Sequence, residues 1–274
     1  MRGSECDLLR SNGSRKNQGS ALSPVWRPFH EYRRPPSQPH LVNAEADPHY
    51  EKRWLILVVV CIAQLMLLID STVVNVALPS AQRALHFSTA NREWVVTAYV
   101  LAFGSLLPLG GRMSDLWGRK LMFVIGALGF AAASVAGGAA QSFTMLVVAR
   151  AAQGLFAALL APAAIAMIAV TFTDPTERAK AFGVFGAIGA AAGALGLLLG
   201  GVLTSYVSWR WCMYVNVAFA ALALLGAMTL MTNNTNPDEP RLDLLGTALA
   251  TTGLFGIVFG AAKAETNGWA QQSP

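Results

Sequence analysis

Seven stretches of the chain are apolar over lengths that approach or exceed the thickness of a lipid bilayer: about residues 54–78, 93–110, 121–140, 143–170, 179–204, 211–231 and 244–264. A helix rises 1.5 Å per residue, so about 20 apolar residues cross a hydrocarbon core of roughly 30 Å. Inside hydrocarbon every backbone N–H and C=O must find its partner within the chain, which leaves helices as the form for runs of this kind. The expected fold is an all-α polytopic membrane protein, with the lipid bilayer as its first partner. Composition agrees, because only 13% of the 274 residues are charged, against about a quarter in a soluble domain.

The flanks differ. Residues 1–50 are polar, rich in Pro, Ser and Arg, and show no helical period, so they read as a disordered cytoplasmic tail. Residues 1–41 match no structural pattern, and a start at Val42, if its codon is GTG, is one expectation. N-terminal sequencing of the native protein decides it. The net charge of +5 raises nucleic acid as a partner, but nine of the 20 Lys/Arg fall in the first 53 residues. The others sit in short loops without the basic stripe interleaved with aromatics that nucleic acid requires, so no nucleic acid is expected. Cys6, Cys61 and Cys212 share no metal spacing with one another or with the four histidines. No nucleotide-binding GxxxxGK[ST] loop and no catalytic constellation is present. The chain reads as no enzyme, with no cofactor and no metal, and any transport is expected to draw on a proton gradient.

Loop charge sets an expected orientation. With the N-terminus inside, the inner flanks carry Lys52, Arg53, Arg112, Arg119, Lys120, Arg178, Lys180 and Arg241, and the outer flanks carry Arg83, Arg92, Arg210 and Lys263. That excess of eight over four places the N-terminus in the cytoplasm of a plasma-membrane protein.

Two charges lie well within the spans, Asp70 and Arg150. A charge at the bilayer centre costs from about 3 to over 10 kcal/mol and is rarely idle. In the first span Gln64, Ser71 and Asn75 share a stripe flanked by Asp70 and Thr72, so one side of this helix is expected to face a polar cavity. There Asp70 exchanges a proton, unless it lies shallow and snorkels. In the fourth span Arg150, Gln153, Gly154, Ala157 and Ala161 share a face. Arg150 stays charged and either tunes a nearby carboxylate or serves as a structural ion pair or backbone anchor.

The stretch "GGRMSDLWGRK", Gly110 to Lys120, reads as a short cytoplasmic loop between the second and third spans. Gly111 and Gly118 allow tight turning and close approach. Asp115 can accept from N–H groups at a helix start or pair with Arg119, and Arg119 and Lys120 hold the loop inside. In the fifth span Gly183, Gly186, Gly189, Gly193, Gly196 and Gly200 recur every three or four residues. They form a bare stripe suited to backbone-to-backbone packing, static or gating.

With these residues in view, the chain resembles the major facilitator superfamily, and within it the 14-helix drug:proton antiporters. "GGRMSDLWGRK" is similar to the family's signature loop at Gly111, Asp115, Gly118, Arg119 and Lys120, and departs from it at Met113, Ser114 and Leu116. "LIDSTVVNVALP", Leu68 to Pro79, is similar to the first-helix signature, and "RAAQG" to the fourth-helix arginine motif. "GLLLGGVLTSYVSWRWCMYVN" is similar to the fifth-helix antiporter motif, with Leu197 where the family has proline after Gly196. The resemblance runs from about Trp54 to Trp269.

The resemblance implies a six-helix N-terminal lobe over residues 51–232, then a linker and a seventh helix over 233–274, cut short. It implies proton-coupled efflux of small amphipathic drug-like molecules by alternating access. Asp70, Asn75, Arg150 and Gln153 would couple protons or face substrate. Gly111, Asp115, Gly118, Arg119 and Lys120 would form the conformational-switch loop. Gly189, Gly193, Gly196, Gly200 and Gly201 would shape the helix-5 packing or gate. Such transporters have a second six-helix lobe, so the chain is expected to be an N-terminal half that needs that lobe or a partner subunit. The alternatives are a truncated non-transporting membrane protein, an assembly partner, or an uptake permease of the same family.

Overall fold

A computed structural model of the chain describes residues 52–232 and 244–267. The expected disordered tail and most of the linker before the seventh span lie outside these residues. The described residues form seven helices: α1 Arg53–Leu85, α2 Thr89–Trp117, α3 Arg119–Gly138, α4 Phe143–Thr171, α5 Pro175–Tyr206, α6 Trp211–Leu230 and α7 Leu244–Asn267. Six of them, α1 to α6, are long and apolar enough to cross a membrane. The seventh expected span also forms a helix, and among the described residues its apolar stretch runs Leu249–Ala261.

The helix ends follow from local chemistry. Ser88 and Ser142 cap α2 and α4, each hydroxyl accepting an N–H from the first turn at 3.3 Å. Asp174 accepts the N–H groups of Thr176 and Glu177, each at 2.9 Å, and Pro175 opens α5 where its missing N–H costs nothing.

The apolar side chains interlock helix by helix. Phe123, Phe130, Met66 and Leu160 belong to one buried cluster, and Ile69, Val73, Phe87 and Met213 to a second. The closest partners are α2 with α4, α3 with α4, α1 with α5, and α3 with α6. α7 lies on α2, where Phe259 meets Trp94 at a ring separation of 6.4 Å. The central helix α1 is largely buried, whereas α5 leaves most of its surface uncovered.

The antiparallel pair α3 and α6 is clamped at both ends. Lys120, at the start of α3, donates to the carbonyls of Met231 at 2.6 Å and Met228 at 3.4 Å, at the end of α6. Arg210, at the start of α6, donates to the carbonyls of Gly138 and Ala140 at 2.6 and 2.7 Å, at the end of α3. Each cation meets the negative end of the other helix, the favourable sense of the helix dipole. At the Lys120 end, Arg53 of α1 pairs with Glu177 of α5 at 2.8 Å, so α1, α3 and α5 start on one side of the bundle.

The stretch expected as a loop is mostly helix. α2 continues through Trp117, α3 begins at Arg119, and the chain turns at Gly118 alone, with φ 97°. That backbone is strained for any residue with a Cβ. Asp115 therefore sits not at a helix start but in the last turn of α2, where a carboxylate faces the negative end of its own helix dipole. Among the described residues it forms no ion pair with Arg119. The close approach belongs to Gly110, where a Cβ would overlap the Ala158 carbonyl. Gly111 has ordinary space beside Pro162.

Candidate functional site

Five helices bring polar side chains to one buried point. α1 supplies Asp70, α4 supplies Arg150 and Gln153 one turn apart, α3 supplies Ser134, α6 supplies Asn216 and α2 supplies Tyr99. Asp70, Gln153, Ser134 and Asn216 are 0% exposed and Arg150 is 1% exposed. Arg150 Nη1 donates to Asp70 Oδ2 at 2.5 Å and to Gln153 Oε1 at 2.8 Å, and its Nε donates to the Val95 carbonyl at 3.3 Å. Gln153 Nε2 donates to Asp70 Oδ1 at 3.1 Å and to Ser134 Oγ at 2.7 Å. Asn216 Nδ2 donates to the same Asp70 Oδ1 at 2.6 Å.

The arrangement is that of an ionised pair. An arginine does not lose its proton in a protein, and the Asp70 carboxylate, which can only accept, receives three donors. Removing two charges from water costs several kcal/mol each. Their attraction offsets this only with good geometry and further hydrogen bonds, both of which are present. Arg150 is seven residues into α4 and Asn216 five residues into α6, or about 10 and 8 Å from those ends. The cluster thus lies in the half of the bundle near the α3–α4 and α5–α6 turns.

Tyr99 links this cluster to open space. The Arg150 guanidinium carbon sits 4.3 Å from the centroid of its ring, a cation–π contact in a desolvated setting. The same ring stacks on Phe103, with centroids 5.9 Å apart and planes 14° apart. Tyr99 and Phe103 in turn line a groove of about 740 Å³ between α1, α2, α4 and α5. Gln64, Ser71, Pro162 and Phe185 are among its other walls, and among the described residues no charged side chain lines it.

The structure sorts the expected site residues. Asp70, Arg150 and Gln153 come together. The expectation that Asp70 faces a polar cavity is corrected: Gln64 and Ser71 line the groove, whereas Asp70 points into the bundle and is sealed there. Asn75 is also apart. Five residues from Asp70 is about 140° around the helix. Asn75 is exposed, donates to the Ser71 carbonyl at 2.9 Å, and borders a separate polar pocket of about 410 Å³ with Thr89, Arg92, Glu93 and Thr97.

The fifth-helix glycines divide in the same way. A Cβ at Gly196 would overlap the Thr72 hydroxyl of α1, and one at Gly200 would come within 3.1 Å of Val76 Cβ. Gly189 has ordinary room beside Leu68, and a Cβ at Gly183, Gly186, Gly193 or Gly201 would meet nothing within 4 Å among the described residues. The expected packing contact at Gly193 and Gly201 is therefore absent. Gly193 is turned about 60° from Gly196, and Gly201 about 140°, enough to carry both off the α1 face. Gly196→Leu is expected to destabilise the lobe by at least the 1–3 kcal/mol typical of overpacking. Gly193→Leu is expected to leave the thermal unfolding midpoint in detergent unchanged. Equal midpoints for the two variants would contradict this α1–α5 contact.

Asn216, Ser134 and Tyr99 were not singled out by sequence. Asn216 carried a signal, as the one amide side chain inside the sixth span. Ser134 and Tyr99 carried none, since serine and tyrosine are ordinary in membrane helices.

Comparison with known proteins agrees with the geometry. A family model described as Major Facilitator Superfamily matches residues 60–266. The puromycin resistance protein pur8 of Streptomyces alboniger is 54% identical over 218 residues, covering 80% of this chain and 43% of that protein. The probable actinorhodin transporter of Streptomyces coelicolor is 39% identical over 231 residues, covering 83% of this chain and 40% of that protein. The chain thus spans less than half the length of these relatives. Among solved structures, the peptide transporter POT in complex with sulfate superposes with a TM-score of 0.61 at 15% identity. It covers 81% of this chain and 47% of that one, a likeness of fold.

Proposed function

The chain belongs to the major facilitator superfamily, and from that premise we propose that it is one lobe of a proton-coupled exporter of apolar, aromatic small molecules. The observation that carries the proposal is the Asp70–Arg150 pair, sealed in the bundle yet one aromatic ring away from a large apolar groove. A carboxylate enclosed in a membrane domain is the natural carrier of an exchangeable proton. The groove suits the substrate. Its walls are aliphatic and aromatic, Gln64 and Ser71 offer orienting hydrogen bonds, and none of the described residues brings a formal charge to it.

Direction and topology rest on further support. The relatives are named for puromycin resistance and for a probable actinorhodin transporter, and a third is the cephamycin export protein CmcT of Amycolatopsis lactamdurans. The last of these names states export, which supports outward movement here. The inner excess of Lys and Arg supports a cytoplasmic N-terminus, and with that orientation the buried pair belongs to the outer half of the membrane. Alternating access works by rocking one bundle against another around a midplane site. The groove and the uncovered face of α5 are the surfaces that a second lobe would meet.

In this reading a substrate pressed against Tyr99 and Phe103 bears on the ring that carries Arg150. In the protonated state of Asp70 this presses the guanidinium toward the carboxyl group, which then gives up its proton. The test is direction of movement. In inverted membrane vesicles containing the complete protein, an aromatic dye accumulates inside only when the interior is made acid. Accumulation with the opposite gradient, or with none, would point to an uptake permease or to a lobe that binds without transporting.

A further inference from the structure

Every group around Asp70 presents a donor. Its Oδ2 accepts from Arg150 Nη1, and its Oδ1 accepts from Gln153 Nε2 and Asn216 Nδ2. That set suits a carboxylate, but a protonated Asp70 becomes a donor itself and needs an acceptor. Arg150 has none. Gln153 Oε1 is already held by Arg150, and turning that amide would also break its hydrogen bond to Ser134. Asn216 differs. Its side chain is fully buried, and its Oδ1 has no hydrogen-bond partner among the described residues. An orphaned acceptor in a dry interior calls for a reason.

We propose that Asn216 is an amide switch that accommodates the proton of Asp70. Oxygen and nitrogen of a primary amide are nearly equal in size, so a half-turn of the Asn216 amide exchanges them in the same space. In the ionised state Nδ2 donates to Asp70 Oδ1. When a proton from water bonds to Oδ1, the amide turns and its oxygen accepts the new O–H. Release of the proton to water reverses both changes. One amide atom lacks a partner in each state, so the turn changes no count of unsatisfied groups. Arg150 keeps Oδ2 and Gln153 keeps Ser134 throughout.

Titratable side chains that feel the Asp70 charge include Arg150 of α4, Tyr99 of α2 and Cys212 of α6, and Arg92 and Glu93 lie within a turn of Val95, whose carbonyl Arg150 holds. The charged residues of α3 and α5, among the described residues, lie in their first two turns, at the far end of the bundle. The amide is therefore the group at this point that can turn without breaking another contact. The inference rests on the reading that Asp70 exchanges a proton.

The test is infrared difference spectroscopy, acid minus neutral, on the protein reconstituted in lipid with heavy-nitrogen-labelled asparagine. The expected result is a protonated carboxyl band that is lost in Asp70→Asn, together with a label-sensitive amide band that moves with it. In Asn216→Leu the carboxyl band shifts to higher wavenumber, because its O–H lacks an acceptor, and the amide change disappears. A carboxyl band unshifted in Asn216→Leu, or a wild-type amide band that does not move, overturns the switch alone. No carboxyl band in the wild type overturns the proton-exchange reading and the switch with it. If Asn216→Leu does not fold, the labelled wild type decides by itself.

Discussion

Arg150→Leu is expected to lower the stability of the helical lobe by about 3–5 kcal/mol, the usual cost of removing one partner of a buried ion pair. Asp70 would remain sealed in the bundle without its cation. The Val95 carbonyl and Gln153 Oε1 would lose their donor, and the Tyr99 ring would lose the guanidinium on its face. Leucine fills much of the space and satisfies none of these groups. The measurement is the fraction of detergent-extracted protein that stays monodisperse on heating. Adding Asp70→Asn to Arg150→Leu is expected to recover part of the loss, because no uncompensated charge then remains and contacting residues couple. A single variant as stable as wild type would mean that the pair contributes nothing to the fold.

Asp70→Asn alone is expected to reduce proton-coupled movement by the complete protein to background while leaving it inserted in the membrane. Asparagine is close in size to aspartate and its oxygen still accepts from Arg150. The arginine also keeps Val95, Gln153 and Tyr99, so this variant folds better than Arg150→Leu. What it loses is the site that gains and releases a proton. Flux in energised vesicles checks it, with the protein level in the same membranes as control. Full coupled flux by the variant would remove Asp70 from the proton path.

The fold was legible because apolar length alone dictates helices in a bilayer, and all seven expected stretches are helical. The chemistry was legible where a residue violates its surroundings. Asp70 and Arg150 stand out because charges in apolar helices are costly, and Gln153 follows from being one turn from Arg150. What periodicity does not contain is the partner helix. Nothing in α1 says that Asp70 faces α4 and α6 while Ser71, one residue on, faces the groove. Asn75 was drawn into the site by a stripe that in fact turns away from Asp70. Gly193 was drawn in because a three-or-four-residue repeat resembles a single face, while α5 meets α1 along a strip narrow enough to include Gly196 and exclude Gly193. The stretch from Gly110 to Lys120 read as a loop because its glycines and charges suggest one, yet Gly118 alone makes the turn. Asn216 sits beside a Trp- and Tyr-rich turn, where a polar residue reads as interfacial, and the fold instead points it at Asp70.

The most direct measurement of the central claim is the proton released when an aromatic dye binds the purified, lipid-reconstituted protein in weakly buffered acid medium, where Asp70 carries its proton. Proton release on binding by the wild type, and none by Asp70→Asn at equal dye occupancy, is the predicted result. Equal release by both proteins, or binding by the wild type without release, would contradict the assignment of Asp70 as the coupling group.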